Sequence, residues 1–222
     1  VSGEGVVQGG YNFNGTSNYI TVSDTTSLRH GTNSFSISTW FKGSTTSVFN
    51  KIASKQDSDT YDGWSLIQGG DWYSSATGTK ILFGFGSNSL TNVRAYNTVN
   101  SFNDGNWHHL VVAADSAAPS VKIYVDGVDQ SLMNSQVAGS WPNLNQAVNL
   151  RIGSGPINQY WNGNLDELRI YNSALSSSQV SALYEGTYNL QDNLDVNGNL
   201  TLTAGTLDVS ESNRNISVGG NF

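Results

Sequence analysis

From Gly10 to about Ile170 the chain runs in short segments that alternate apolar and polar residues, each bounded by Gly, Asn, Asp or Ser. Side chains on a strand point alternately to opposite faces, so such segments bury their apolar half only when one sheet stacks on another. Ser34 to Phe41 places Phe35, Ile37, Thr39 and Phe41 on one face, and Lys80 to Phe85 repeats the pattern. Trp107 to Val112 and Val121 to Val125 form a further pair. Asp126-Gly127 then supplies the tight turn of a hairpin into Val128-Asp129-Gln130. Trp40, Trp107 and Tyr124 fall inside these runs and are read as core. One helix is predicted: Ser176 stands at capping-box spacing from Gln179, Val180, Leu183 and Tyr184 follow at helical intervals, and Gly186 is a stop. The expected fold is all-β, a two-sheet antiparallel β-sandwich with one short C-terminal helix.

After Gly186 the texture changes. Asn193-Leu194-Asp195-Val196-Asn197-Gly198-Asn199-Leu200 recurs as Asn215-Ile216-Ser217-Val218-Gly219-Gly220-Asn221-Phe222, an offset of 22 residues. Such repeats cannot bury an apolar face alone and stack into solenoids. The chain therefore reads as a domain over 1–186 and the start of a strand-rich, repeat-like region over 187–222. Exposed strand edges in that tail offer a route to self-association.

Composition narrows the function classes. Lys and Arg number 10 against 17 Asp and Glu, a formal charge of −7, and the cations are scattered, so a polyanionic nucleic acid is an unsuitable partner. Without cysteine there are no disulfides or thiolate metal sites, which leaves oxygen and imidazole ligands and makes calcium the default cation. No apolar run approaches the roughly 18 residues a membrane span needs, and Val1-Ser2-Gly3-Glu4 lacks signal-peptide character. The expectation is an extracellular or cell-surface protein with its export address removed and no membrane insertion. The match of Asn14-Gly15-Thr16, Asn199-Leu200-Thr201 and Asn215-Ile216-Ser217 to the glycosylation acceptor pattern is expected by chance in so Asn-rich a chain.

Four blocks in order carry a family resemblance: Phe13-Asn14-Gly15 with Tyr19-Ile20; Phe35 to Lys42; Trp107 to Val112 with Val121 to Gly127; and Trp161 to Tyr171 followed by Ala174-Leu175-Ser176. Over about residues 8 to 186 the chain resembles the laminin G-like jelly rolls of the concanavalin A-like lectin/glucanase superfamily. The resemblance implies a jelly roll. It also implies one calcium between the N-terminal loop and the closing strand, at Asn14 and Asp166. Asn14 stands where the family commonly has Asp, which removes a charge. The competing expectation is that Asp166 accepts backbone N–H groups and pins the chain ends together without metal.

A glycosidase on such a scaffold needs two carboxylates on one strand face, and no Glu-x-Asp-x-x-Glu run occurs. Strand alternation is expected to send Asp166 and Glu167 to opposite faces, as it does His108 and His109. Asp57, Asp59 and Asp62 read as a solvated loop. The chain is therefore expected to be non-catalytic. Sugar recognition pairs aromatic platforms with amides and carboxylates, and loop residues of those types are Tyr61, Trp64, Gln68, Asp71, Trp72 and Tyr73, with Trp141, Tyr160 and Trp161 further on. Trp64 shares a strand face with Leu66 and also suits a core position. Two readings stay open: an adhesion or binding module for a glycan or surface protein, or a spacer that caps a repetitive stalk.

Overall fold

The alternating runs form the strands of two seven-stranded antiparallel sheets. This computed structural model describes residues 2–3, 5–6, 9–44, 50–69, 79–157, 159–186, 194–196 and 216–218. The first sheet runs β1 (Ser2–Gly3), β2 (Gly10–Asn14), β14 (Asn162–Tyr171), β4 (Phe35–Lys42), β9 (Trp107–Asp115), β10 (Ser120–Val125) and β11 (Val128–Asp129). The second runs β12 (Leu132–Ala138), β8 (Asn92–Ser101), β7 (Lys80–Ser87), β6 (Gly63–Gln68), β5 (Asn50–Gln56), β13 (Leu150–Ile152) and β3 (Ile20–Val22). Strands from the two ends of the sandwich, β2 and β14, lie side by side with Asn14 opposite Asn162. The sandwich is the jelly roll the sequence implies.

The two inner faces meet in one core, with Phe13, Phe35, Ile37, Phe41, Leu110 and Val112 from the first sheet against Ile52, Trp64, Leu66, Ile81, Phe83 and Phe85 from the second. Phe35 meets Phe83 and Phe85 edge-on across the layers, at 6.1 and 6.0 Å. Each such ring removes roughly 150–250 Å² from water, which makes the aromatics the main stabilising group. Tyr124 is buried as expected. Trp40 is out of phase with Phe41, so it stands on the outer face against His109, 5.0 Å between rings, and Trp107 is half-buried. Both correct the core assignment, because the outer face of a sheet also carries aromatics.

Local geometry follows the turn chemistry. Asp126 (φ 52°) and Gly127 (φ 77°) form the two-residue turn that sets Val125 opposite Val128. In β14 the pairing with β4 shifts between Asp166 and Arg169, and Glu167 adopts φ 52°. This bulge interrupts the alternation expected at Asp166-Glu167. Gly153 has φ 79°, and a Cβ there would stand 2.3 Å from the Phe13 ring, so only glycine lets the segment after β13 cross the core so closely. The Lys55 ammonium donates to Asp24 Oδ1 and to the carbonyls of Gln146 and Val148, which ties the connection before β13 to the sheet.

The residues divide into two compact units, Val1–Leu175 and Ser176–Phe222. In the second, α1 (Ser177–Glu185) is capped by Ser176, whose side chain accepts from Gln179 N–H while Gln179 Oε1 accepts from Ser176 N–H, and Gly186 ends it in the left-handed conformation. β15 (Leu194–Val196) and β16 (Ile216–Val218) pair in parallel with Leu194 opposite Ile216. The register offset is the 22-residue period of the sequence recurrence, as in stacked repeats.

Candidate functional site

The second sheet decides which aromatics can meet a ligand. Trp64 shares its inward parity with Leu66 and Gln68, and all three are at most 1% exposed. Gln68 Nε2 donates to the Phe102 carbonyl at 2.6 Å. Trp161 is fully buried against Phe41, 6.2 Å between rings. Trp64, Gln68 and Trp161 therefore belong to the interior and not to a ligand surface, a correction that follows from strand parity. Trp141 is half-buried with its ring 5.1 Å from Phe85. Tyr160 is half-buried and 6.2 Å from the exposed Tyr19. Tyr61 is exposed. Asp71, Trp72 and Tyr73 lie outside the described residues.

The implied calcium pair does not converge. Asn14 pairs with Asn162, four residues along β14 from Asp166 and so about 13 Å away at roughly 3.3 Å per strand residue. Asn14 Oδ1 already accepts from the N–H groups of Thr16, Ser17 and Asn18. Asp166 Oδ2 accepts from Val6 N–H and Oδ1 from Glu167 N–H, both at 2.8 Å. The two residues cannot share one cation, which corrects the ligand set carried over by resemblance. Among the described residues no three His, Asp or Glu side chains gather as a metal site.

A cleft of about 260 Å³ opens on the outer face of the second sheet. Its apolar wall is Ile67 of β6, Leu90 of the β7–β8 turn and Ile157 of the segment after β13, and its polar side is Lys51, Gln56 and Gln159. Tyr61 stands at its rim.

Backbone strain concentrates there. Tyr61 has φ 58°, and Asn88, Ser89 and Leu90 have φ 57°, 52° and 61°, four of the six non-glycine residues with positive φ among those described. A left-handed residue other than glycine costs about 1–2 kcal/mol, so something must hold each one. Asp62 does so for the turn after β7, its two oxygens accepting from Ser89 N–H (3.1 Å) and Leu90 N–H (3.2 Å). Tyr61 is held by Gln56 Nε2, which donates to its carbonyl at 2.8 Å, and by the Asp57 N–H to Asp62 carbonyl bond. Asp57 Oδ1 in turn accepts from Asp59 and Thr60 N–H groups, which lower its pKa. The Asp57, Asp59 and Asp62 loop is thus a frame for the rim.

Two buried lysines on β5 are treated differently. Lys55 has a carboxylate partner in Asp24, whose own pKa is lowered to about 2 by hydrogen bonds from Arg29 and Lys55. Lys51 is 4% exposed and, among the described residues, donates to two neutral acceptors, Ser65 Oγ at 2.7 Å and Gln56 Oε1 at 3.2 Å. Burial lowers its pKa to about 7. Among the described residues no carboxylate forms an ion pair with it.

The histidines are accounted for elsewhere. His108 Nδ1 and Nε2 meet Asp126 (2.7 Å) and Asp104 (3.0 Å); burial opposes its charge, but the two carboxylates together outweigh burial and raise its pKa. His30, stacked on Phe35 at 4.4 Å, and His109, bonded to Ser38 Oγ, are held neutral by burial with pKa values of about 4.

A family model for laminin G-like domains of the concanavalin A-like lectin/glucanases superfamily matches residues 14–181. The chain belongs to this family. Over 106 residues, 45% of its length, this laminin G-like chain is 33% identical to the adhesion G-protein coupled receptor V1 of Danio rerio, of which it spans 2%. Its fold is similar to the binding domain of Paraclostridial Mosquitocidal Protein 1, with a TM-score of 0.66 at 15% identity over 88% of this chain and 47% of that one. Domain 4 of AbnA, a GH43 extracellular arabinanase from Geobacillus stearothermophilus in complex with arabinotriose, gives 0.58 at 21% over 82% and 80%. The heptameric SAP-like pentraxin of Limulus polyphemus gives 0.57 at 18% over 78% and 80%. At these identities the likeness is one of fold.

The sequence points to Tyr61, and to Gln159 as an amide beside Tyr160 and Trp161, but not to Lys51, Gln56, Ile67, Leu90 or Ile157. The available signal was Lys51 inside the run from Val48 to Ala53, an ammonium in a strand otherwise suited to burial.

Proposed function

We propose that the chain is a non-catalytic extracellular binding or adhesion module that engages a glycan at the cleft between Tyr61, Leu90 and Ile157. The observation that carries this reading is the rim, where strained turns around Tyr61 and Leu90 are fixed by Asp62 and Gln56 before any ligand arrives. Preorganisation of this kind spares a ligand the cost of ordering the loops. The cleft offers an aromatic edge, an apolar wall and amide groups, the chemistry that suits a sugar ring. A non-catalytic role is supported by the carboxylates beside it, since Asp57 Oδ1 and both oxygens of Asp62 accept from backbone N–H groups. Family membership and a relative whose name is that of an adhesion receptor support an extracellular role, and among the described residues no helix is long and apolar enough to cross a membrane. Calcium enters as an arm of the test.

The test is a glycan array with wild type and Tyr61→Ala, each with calcium and with chelator. Binding lost in Tyr61→Ala supports the cleft. A blank array with the folded wild type removes the glycan reading and leaves the spacer, to which the parallel pairing of β15 and β16 at the repeat period lends support.

A further inference from the structure

We infer that the ligand of this cleft is an acidic saccharide and that Lys51 is the group that binds its carboxylate. The inference rests on the binding reading above and sharpens it.

A buried ammonium has already lost its water, and what it needs is either a counter-charge or the loss of its proton. Lys55 shows how this fold satisfies such a group: its three N–H donors go to one carboxylate and two carbonyls. Among the described residues Lys51 has neither a carboxylate nor a backbone carbonyl as acceptor. Its two acceptors are a hydroxyl and an amide oxygen already bonded to one another, Ser65 Oγ donating to Gln56 Oε1 at 2.7 Å. An ammonium has three donors, so one is left for a ligand, and the residue borders an open cleft.

The surroundings leave no substitute among the described groups. Asp57 and Asp62 are committed to the turns, and Arg151 donates to the Gly155 carbonyl at 2.8 Å. The segment after β13 holds the lysine stem in place: a Cβ on Gly155 would stand 3.0 Å from Lys51 Cγ and 2.7 Å from Gln159 Oε1. This packing fixes the stem against the cleft wall. A carboxylate placed there meets a group whose desolvation the fold has already borne, so the ion pair costs only the carboxylate's own desolvation and, above the lysine's pKa, the protonation of the amine. The Tyr61 ring and the Gln159 amide suit the rest of a sugar, which is why the acidic ligand is assigned as a saccharide and not a peptide.

Binding a carboxylate also restores the proton. With a free pKa of about 7, Lys51 is mostly neutral at pH 8, and the complex takes up close to one proton there.

The experiment is calorimetry of oligosaccharides bearing galacturonate, glucuronate or N-acetylneuraminate, each beside its carboxyl-reduced form and beside a short glutamate peptide. Runs at pH 8 in phosphate and in Tris separate proton uptake from binding heat. The expected result is at least one acidic saccharide bound on the order of 30-fold more tightly than its reduced form, with proton uptake. Lys51→Met and Lys51→Gln should abolish both the preference and the uptake. Equal binding of acidic and reduced forms, lost in Tyr61→Ala, overturns the inference and leaves the module reading intact. Binding of the peptide alone overturns the saccharide assignment. No binding here together with a blank array overturns both.

Discussion

Lys51→Met converts the buried ammonium into a measurable slope. A pKa lowered from 10.5 to about 7 places a penalty of about 5 kcal/mol on the charged form, at about 1.36 kcal/mol per unit, as an upper bound. The sign is that of a base whose folded pKa is depressed. Between pH 7 and 10.5 the unfolded chain binds the extra proton, so stability rises with pH, and below pH 7 the penalty is present in full. Methionine lacks the titration in both states, so wild-type stability minus that of Lys51→Met should climb by about 3 kcal/mol between pH 7 and 9.5. Other groups cancel in the difference, and Ser65 and Gln56 keep their mutual hydrogen bond, so no polar atom is orphaned. The assay is urea unfolding followed by tryptophan fluorescence at four pH values. A difference constant to within about 0.5 kcal/mol across that range would refute the argument that Lys51 sits dry and without a counter-charge.

Three further outcomes are expected. Gly153→Ala should lose about 2–5 kcal/mol in the same unfolding assay, because left-handed strain adds to the clash with Phe13, whereas Gly105→Ala, at φ 80° with its nearest atom 3.6 Å away, should lose only about 1–2 kcal/mol. In an NMR titration His108 should protonate above 6.5 and His30 and His109 near 4; the stability contributed by charged His108 is whole below 6.5 and is lost as pH rises through its raised pKa, and His108→Gln should remove that dependence. Asp166→Ala should lower the melting temperature equally in calcium and in chelator, since what it loses is the acceptor for Val6 and Glu167 N–H; a loss confined to calcium would restore the cation site.

The sandwich was legible because strand period and turn chemistry are local: Phe35, Ile37 and Phe41 declare an inner face, and Asp126-Gly127 a hairpin, with no knowledge of the partner strand. The capping box at Ser176 is equally local. The site was not. Trp64 and Trp161 have the composition of a sugar platform, and only their parity against Leu66 and Phe41 shows that they point inward. The bulge at Glu167 breaks the alternation that would send Asp166 and Glu167 to opposite faces. Lys51, Leu90 and Gln159 come from three separate stretches of chain, and nothing in any one stretch announces that the other two cover it.

The rim also bears on how such a domain diversifies. Its shape at Tyr61 and Leu90 is set by Asp62 and Gln56 acting on main-chain atoms, while the side chains of Tyr61 and Leu90 contribute surface to the cleft. A lineage that keeps Asp62 and Gln56 is free to exchange the two rim side chains one at a time, trying new partners without reopening the question of how the loops fold.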